Sequence, residues 1–521
     1  LESNLEQQLE RLVETGTSPL LEGALRGIEK EGLRVDYSGH LSQKEHPAGL
    51  GSALTNTTVT TDFSEALLEF VTPAFVNGAA AVQFLENLHH FSYGQLDEEL
   101  IWAGSMPCHI PDAAAIPVAR YGSSNVGRLK HLYRVGLEHR YGKMMQTIAG
   151  IHYNFSLPDD FWLSFQEQQG KSDSLQSFRS SSYFKMIRNF RRNSWLLLYL
   201  FGASPAVDAS FLHGKSHTLH SMGDRTLYLP FATSLRMSDL GYSTKAQSSL
   251  NICFNHLDTF IASIDKALHT PYPPYEKIGV KVDGHYRQLN SNILQIENEY
   301  YSDIRPKRGT RSGEKPLAAL RAKGVEYIEV RLLDINPFLP VGIDRRQTLF
   351  LDAFLISCLF MSDAVLCPAE CRMVTDNMQK VLTRGREPGL QLVTPRGEDT
   401  LAGIGRALIE KIKMTGELLD RVHRTKDYTM AIDEQMRKLE VPDLTPSARV
   451  LSALQKTGLG YTEWILQQSR AHKEFFQGLT ADAAVLQDLV GAAEESVRKQ
   501  QLLEAGDTVN FDQFLAAYLA Y

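Results

Sequence analysis

The sequence predicts an α+β fold with a mixed or antiparallel sheet, and three observations carry that expectation. Short alternating or apolar stretches collect between residues 27 and 334. Long helical patterns lie among them without strict strand–helix alternation, which argues against a doubly wound parallel sheet. Beyond Pro340 the texture turns helical, with no convincing strand. The expected organisation is one large domain over residues 1–521, with a sheet-containing part (1–340) and a mainly helical part (341–521).

The elements follow from periodicity. Residues 3–13 read as a helix, because Ser3 and Glu6 make a capping box and Leu5, Leu9 and Leu12 share one face. Strands are expected at 27–35, 66–72, 148–156, 289–297 and 325–334, with Asp283-Gly284 as a hairpin-type turn. Helical patterns cover 79–93 and 183–200, then 346–364, 401–422, 447–455 and 481–503.

Composition narrows the class. The chain is 43% hydrophobic and 22% charged, the mix of a globular protein with a sizeable core. Its net charge of −7 argues against nucleic-acid or anionic-membrane partners, which call for a basic surface. The apolar run 195–202 (WLLLYLFG) is far short of the roughly 20 residues that span a bilayer. The first segment, LESNLEQQLERL, is too charged for a secretory signal. Cys108, Cys253, Cys358, Cys367 and Cys371 are scattered, odd in number and lack a CxxC pair, so reduced thiols in a cytosol are expected.

Several nucleotide and catalytic motifs are missing: there is no GxxxxGK[ST], no GxSxG, and Gly403-Ile404-Gly405 falls inside a helical pattern. Phosphate chemistry would then need metal ions held by carboxylates. Four strands offer them. In GIEKEGLRV, Glu29 and Glu31 are two apart and share a face. In TTDFSEALLEFVTP, Glu69 shares a face with Leu67 and Val71 after a turn-like TDFS. In GIHYNFS, His152 and Asn154 lie opposite Ile151, Tyr153 and Phe155, and in VEYIEVRLLDIN, Glu329 and Arg331 lie opposite Ile328, Val330 and Leu332. Any one of these is an ordinary exposed strand face. Together each strand has an apolar side for the core, so the acids would converge on the other side. Hard oxygen donors in that number suit Mg²⁺ better than Zn²⁺. His213, His217 and His220, spaced four and three, fall in a loop-like segment without nearby acids and read as incidental.

A phosphate site also needs cations. Arg331 is the leading candidate, with the run IRPKR (304–308), Arg236 and Arg134 beside it. Tyr133, Tyr242 and Tyr301 accompany these basic segments and could wall a small amino-acid pocket.

The long segments GIEKEGLRV, HPAGLGSALTNTTVTTDFSEALLEFVTP, YGSSNVGRLKHLYRVGL, RYGKMMQTIAGIHYNFSLP, LPFATSLRMSDLGY, LQIENEYYSDIRPKR and VEYIEVRLLDINPF, in this order, resemble the proteobacterial type of glutamate–cysteine ligase. The resemblance is dense over about residues 20–340 and loose beyond. It implies a glutamine-synthetase-like catalytic fold with a curved, mainly antiparallel sheet flanked by helices. It also implies ATP-dependent joining of the glutamate γ-carboxylate to the amine of cysteine, with Mg²⁺ (or Mn²⁺) as cofactor and a monomeric cytoplasmic enzyme. Position by position, it makes Glu29, Glu31, Asp62, Glu69, His152 and Glu329 the metal set. Phe63, Tyr133, Leu137, Gln146, Tyr242 and Tyr301 fall where cysteine is held. Arg134, Arg236 and Arg331 fall where glutamate or the transferred phosphate is held, and Lys307 and Arg308 become nucleotide contacts. Lys30, within the first acidic strand, is the less typical neighbour. Two rivals stay open: another ATP-dependent ligase or guanidino kinase of the same fold, and a non-catalytic binding protein.

Overall fold

The protein is described here as a computed structural model, covering residues 5–241, 247, 250, 252–310, 314–480 and 482–520. Its centre is a seven-stranded antiparallel sheet: β1 (Leu25–Asp36), β2 (Val59–Thr61), β3 (Leu67–Val71), β4 (Glu99–Ile101), β5 (Ile151–Ser156), β6 (Ile304–Lys307) and β7 (Tyr327–Leu333). The order is β6-β7-β5-β1-β3-β2, with β4 paired to the far end of β1. The register between β7 and β5 shifts after Val330, an irregularity of the kind that bends a strand.

One side of the sheet is packed. Ile28, Leu68, Phe70, Tyr153, Phe155, Ile328 and Val330 are buried, each such side chain stabilising the fold by roughly 1.5–3 kcal/mol. The helices around this side include α1 (Leu5–Glu14), α2 (Gly78–Tyr93), α4 (Leu175–Asn193), α5 (Arg345–Phe360), α6 (Leu401–His423), α7 (Asp427–Glu440) and α8 (Tyr461–Gly478), whereas α3 (Asn125–Tyr141) reaches the open side, where its Arg134 meets Asp62. Every residue of α5 from Gln347 to Phe360 is buried, because α2, α4, α6 and α7 surround it. A helix apolar on all sides belongs in the middle of a core, and α5 is that helix. None of the helices among the described residues is long and apolar enough to cross a membrane.

Most expected elements appear within a few residues of their bounds. Leu5, Leu9 and Leu12 of α1 are buried as expected, although Ser3 of the capping box lies outside the described residues. The Asp283-Gly284 turn is real: both residues have positive φ (51° and 82°) and join Lys281–Val282 to His285–Tyr286. The helix expected at 183–200 is two helices, Leu175–Asn193 and Trp195–Phe201, meeting at Ser194.

Two expectations fail. The strand expected at 289–297 is irregular backbone, because its polar side chains take up its own polar groups: Gln295 Oε1 accepts from Leu289 N, and Asn290 Oδ1 accepts from Asn292 N. The edge strand is instead β6, carrying the basic run. Beyond Pro340 there is a small hairpin, Gln391–Thr394 with Gly397–Thr400, largely exposed on its second strand and therefore without an alternating apolar face.

Candidate active site

Alternation and register build the site. On β1, Arg26, Ile28 and Lys30 turn to the packed side, and Glu29 and Glu31 to the open one. Residues directly opposite in an antiparallel pair share a face. Glu31 is opposite Glu69, Glu29 opposite His152, Asn154 opposite Glu329, and Glu329 opposite Arg305. A row of ionisable groups thus crosses β3, β1, β5, β7 and β6.

Its centre is tight. Among the described residues, Glu29, His152 and Glu329 form a trio whose ligand-type atoms all lie within 4.8 Å of one another. His152 Nδ1 is 3.1 Å from Glu29 Oε2 and 3.9 Å from Glu329 Oε1, while its Nε2 is 3.8 Å from Glu31 Oε1. Asn154 Nδ2 donates to Glu29 Oε1 at 2.8 Å, and its buried Oδ1 has no hydrogen-bond partner. Gly150 N donates to Glu31 Oε2 at 2.7 Å. Cations flank one end: Arg331 Nη1 donates to Glu329 Oε2 at 3.1 Å and Lys307 Nζ to Glu329 Oε1 at 3.4 Å.

This arrangement drives the carboxyls apart in acidity. Burial pushes Glu329 up, yet Lys307, Arg331, His152 and Arg305 together hold it well below the usual range. Burial also works against Glu29, and the His152 hydrogen bond leads the effects that hold it low. Burial, reinforced by Glu29, Asp62 and Glu31, pushes Glu69 well up, and burial raises Glu31. Carboxyls split this way mark a functional site more than a structural one.

The remaining expected residues divide. Asp62 stays half-exposed outside the trio, with Oδ1 3.9 Å from Arg134 Nη2. Arg134 also donates through Nε to the Asp62 carbonyl and lies over the Tyr121 ring, 4.6 Å from its centroid. Phe63 is buried. α3 carries Tyr133, Arg134 and Leu137, and Gln146 Nε2 donates to Tyr301 Oη at 2.9 Å. Arg236 is buried: Nε donates to Asp334 Oδ1 at 2.7 Å and Nη2 to the Arg331 carbonyl at 3.4 Å. A Cβ on Gly150 would stand 2.7 Å from Arg236 Nη1, so the bare glycine makes room for that guanidinium. Arg308 turns from the acids toward Glu326 (3.4 Å) and the Lys323 carbonyl (3.1 Å). Tyr242 lies outside the described residues. His213, His217 and His220 make no metal-type trio among the described residues.

The sequence assigns Asn154 no role and offers Arg305 only within the basic run 304–308. Asn154 shares the acid face, and its signal was the alternation that exposed His152. Arg305, buried and pushed down to about 10 by burial beside Arg331, points with Glu329 toward the site. Its signal was obscured because β6 was not recognised as a strand.

A helix-backed antiparallel sheet that gathers carboxylates beside guanidinium groups is suited to binding phosphate and carboxylate groups. The family profile described as glutamate–cysteine ligase matches residues 9–381. The glutamate–cysteine ligase of Pseudomonas aeruginosa is 50% identical over 516 residues, covering 99% of this chain and 98% of its own. That of Azotobacter vinelandii is 49% identical over 517 residues, with the same coverage of 99% and 98%. Among solved structures, a glutamate–cysteine ligase from Francisella tularensis in complex with AMP superposes with a TM-score of 0.90 at 36% identity, over 96% of this chain and 98% of that one. A bifunctional glutathione synthetase from Pasteurella multocida shares the fold, with a TM-score of 0.72 at 22% identity over 96% of this chain and 59% of that one. The chain belongs to the glutamate–cysteine ligase family, and it is a ligase.

Proposed function

We infer that the protein uses ATP to join the γ-carboxylate of L-glutamate to the amine of L-cysteine, giving γ-glutamylcysteine, the first step of glutathione synthesis. The observation that carries the reading is the row of acids across the sheet with Arg331, Lys307 and Arg305 at one end, in a chain of this family. A carboxylate oxygen is a poor leaving group, so the γ-carboxylate first attacks the γ-phosphorus of ATP and ADP departs. The cysteine nitrogen then attacks the acyl carbon of γ-glutamyl phosphate, loses a proton, and phosphate leaves.

The residues present fit Mg²⁺, with Mn²⁺ as a substitute. Glu29, Glu31, Glu69 and Glu329 offer hard oxygens, Asn154 Oδ1 is buried without a donor, and His152 adds one nitrogen. The mutual repulsion felt by Glu69 is what a divalent cation would relieve. When bound, the ion supplies charge neutralisation on the phosphate oxygens. Arg331 holds the transferred phosphoryl group; Arg236 and Arg134 orient glutamate. Phe63, Tyr133, Leu137, Gln146 and Tyr301 surround the cysteine. A cavity of about 190 Å³ lined by Tyr300, Arg305, Lys307, Arg308 and Tyr327 offers Lys307 and Arg308 to the nucleotide. All five cysteines are free thiols, which fits a cytosolic enzyme; a monomer is the proposed state.

The test is ADP release with glutamate plus each candidate amine, with the product mass determined. Turnover is expected with cysteine and with amines of similar size. ADP release that is indifferent to glutamate, or a product lacking the γ-glutamyl linkage, overturns the reading.

A further inference from the structure

We propose that Glu299 is a positioning residue for the acceptor pocket, fixing the walls that select a small amino acid; the proposal rests on the assignment of Tyr133, Leu137, Gln146 and Tyr301 to that pocket. Glu299 closes the short helical turn Glu297–Glu299 and is 1% exposed. A buried carboxylate requires donors, and it has them. Arg140 Nη1 (3.0 Å) and Tyr141 Oη (2.7 Å) both donate to Oε1, and Gln295 N donates to Oε2.

These donors belong to the pocket walls. Arg140 and Tyr141 form the last turn of α3, the helix that carries Tyr133 and Leu137. Arg140 is itself buried, held by Gln288 Oε1 (3.0 Å) and the Asn290 carbonyl (2.6 Å) and stacked 4.3 Å from the Tyr275 centroid. Gln295 reaches the Tyr133 carbonyl at 3.3 Å and lies so close to Gly136 that a Cβ there would stand 2.0 Å from Oε1. Gln247 joins the second wall to the same centre. Its Nε2 donates to Tyr141 Oη (3.1 Å) and the Glu299 carbonyl (2.8 Å), and its Oε1 accepts from Tyr301 N (2.9 Å). Tyr301 Oη then meets Gln146. Thus one carboxylate ties the end of α3 to the segment that presents Tyr301.

The charge matters as well as the shape. Both oxygens of Glu299 already face donors, so an amide nitrogen at either position would oppose an N–H or O–H and leave a buried donor unsatisfied. The Glu299 carboxylate takes its hydrogen bonds from Arg140, Tyr141 and Gln295 and from no residue of the acid row, so its loss should loosen the acceptor walls more than the glutamate and phosphate contacts.

The experiment compares Glu299→Gln and Tyr141→Phe with Tyr301→Ala, recording kcat, KM for cysteine, glutamate and ATP, and the preference for cysteine over a bulkier amino acid. For Glu299→Gln, KM for cysteine should rise roughly tenfold or more, since a shift of about 1 Å at a reacting group can cost up to ~100-fold. KM for glutamate should stay within about twofold, and the bulkier amine should gain relative to cysteine. Tyr141→Phe should show the same split at smaller size, and decides the matter if Glu299→Gln does not fold. Folded variants with unchanged cysteine KM and selectivity, or with all three KM values rising together, overturn the positioning role. If Tyr301→Ala also leaves cysteine KM unchanged, the pocket assignment itself falls; if Tyr301→Ala raises it while the other two do not, only the role of Glu299 falls.

Discussion

The two faces of the central sheet treat charge in opposite ways. On the packed face, Arg26 Nε meets Asp352 Oδ2 at 2.8 Å, Tyr153 Oη donates to Asp352 Oδ1 at 2.7 Å, and Lys30 Nζ lies 2.9 Å from His89 Nε2. Each of these side chains has a partner from a neighbouring strand or helix, although Arg26 Nη2 has none. On the open face, a few residues along the same strands, Glu29, Glu31, Glu69 and Glu329 crowd together, and Glu69 is pushed well up by burial and its neighbours' charges. The difference separates structure from function: polar groups paired within the protein hold the sheet to its helices, and acids crowded beside one another, as Glu69 is, await a ligand.

Substitutions on the open face should break activity and spare the fold. Glu29→Gln, Glu69→Gln and Glu329→Gln are each expected to lower kcat by on the order of 100-fold or more, with the fold retained and the melting temperature raised for Glu69→Gln and lowered for Glu329→Gln, which strips Arg331 and Lys307 of their carboxylate. Near-wild-type turnover for all three at saturating Mg²⁺ would remove the metal-site assignment. The packed face should behave in reverse. Asp352→Ala leaves the buried Arg26 guanidinium uncompensated, which costs about 3–5 kcal/mol of stability. Turnover per folded molecule should stay near wild type. Denaturant unfolding and active-enzyme titration separate the two quantities, and an equal loss of activity and stability in both sets would erase the contrast.

The two faces were not equally legible in the sequence. Alternation alone exposes Glu29 with Glu31 and Glu329 with Arg331, because a strand has a period of two whatever it pairs with. It cannot say that Glu31 faces Glu69 or that Asn154 faces Glu329, since register is a long-range property. β6 was hidden because it is four residues long and holds Pro306, which only an edge strand accommodates. Glu299 was hidden for another reason. In ENEYY a glutamate reads as surface, and only the fold brings Arg140 and Tyr141 onto it. The substrate assignments came from long motif runs, and no periodicity could have supplied them.

Acid exposes the packed face further. His472, on α8, is buried beside Lys30, and burial with that neighbouring charge pushes its imidazole down to about 4. Burial and Arg34 hold His46 at about 4 as well. An unfolded imidazole titrates near 6.5, so below that pH protons bind the unfolded chain first. The contribution of each histidine is complete above about pH 6.5 and is lost as the pH falls toward 4. For His472 the loss is on the order of 3 kcal/mol. His472→Gln should flatten this limb of the stability profile, measured by denaturant unfolding from pH 7 to pH 4. A variant as acid-sensitive as wild type would mean that the imidazole is not held neutral in the fold.

The smallest effect on turnover is expected from the thiols, and it sharpens the same contrast. In the acyl-phosphate route ATP activates the electrophile and the substrate amine is the nucleophile, so a protein thiolate has no step to perform. The cysteines agree in their placement. Cys358 lies within α5 at the middle of the core, and burial pushes its thiol up. Cys108 is also buried, its thiol pushed up to about 12. Neither supplies thiolate near neutral pH, and Cys367 and Cys371 sit at the exposed start of the helix Pro368–Arg384. Replacing the two buried cysteines by Ala should cost about 1 kcal/mol each through lost volume, visible in the melting temperature. Replacing all five should leave kcat per folded molecule within about threefold, with ADP release still requiring glutamate. A trapped γ-glutamyl thioester on the protein, or a well-folded single variant without activity, would replace this mechanism with covalent catalysis.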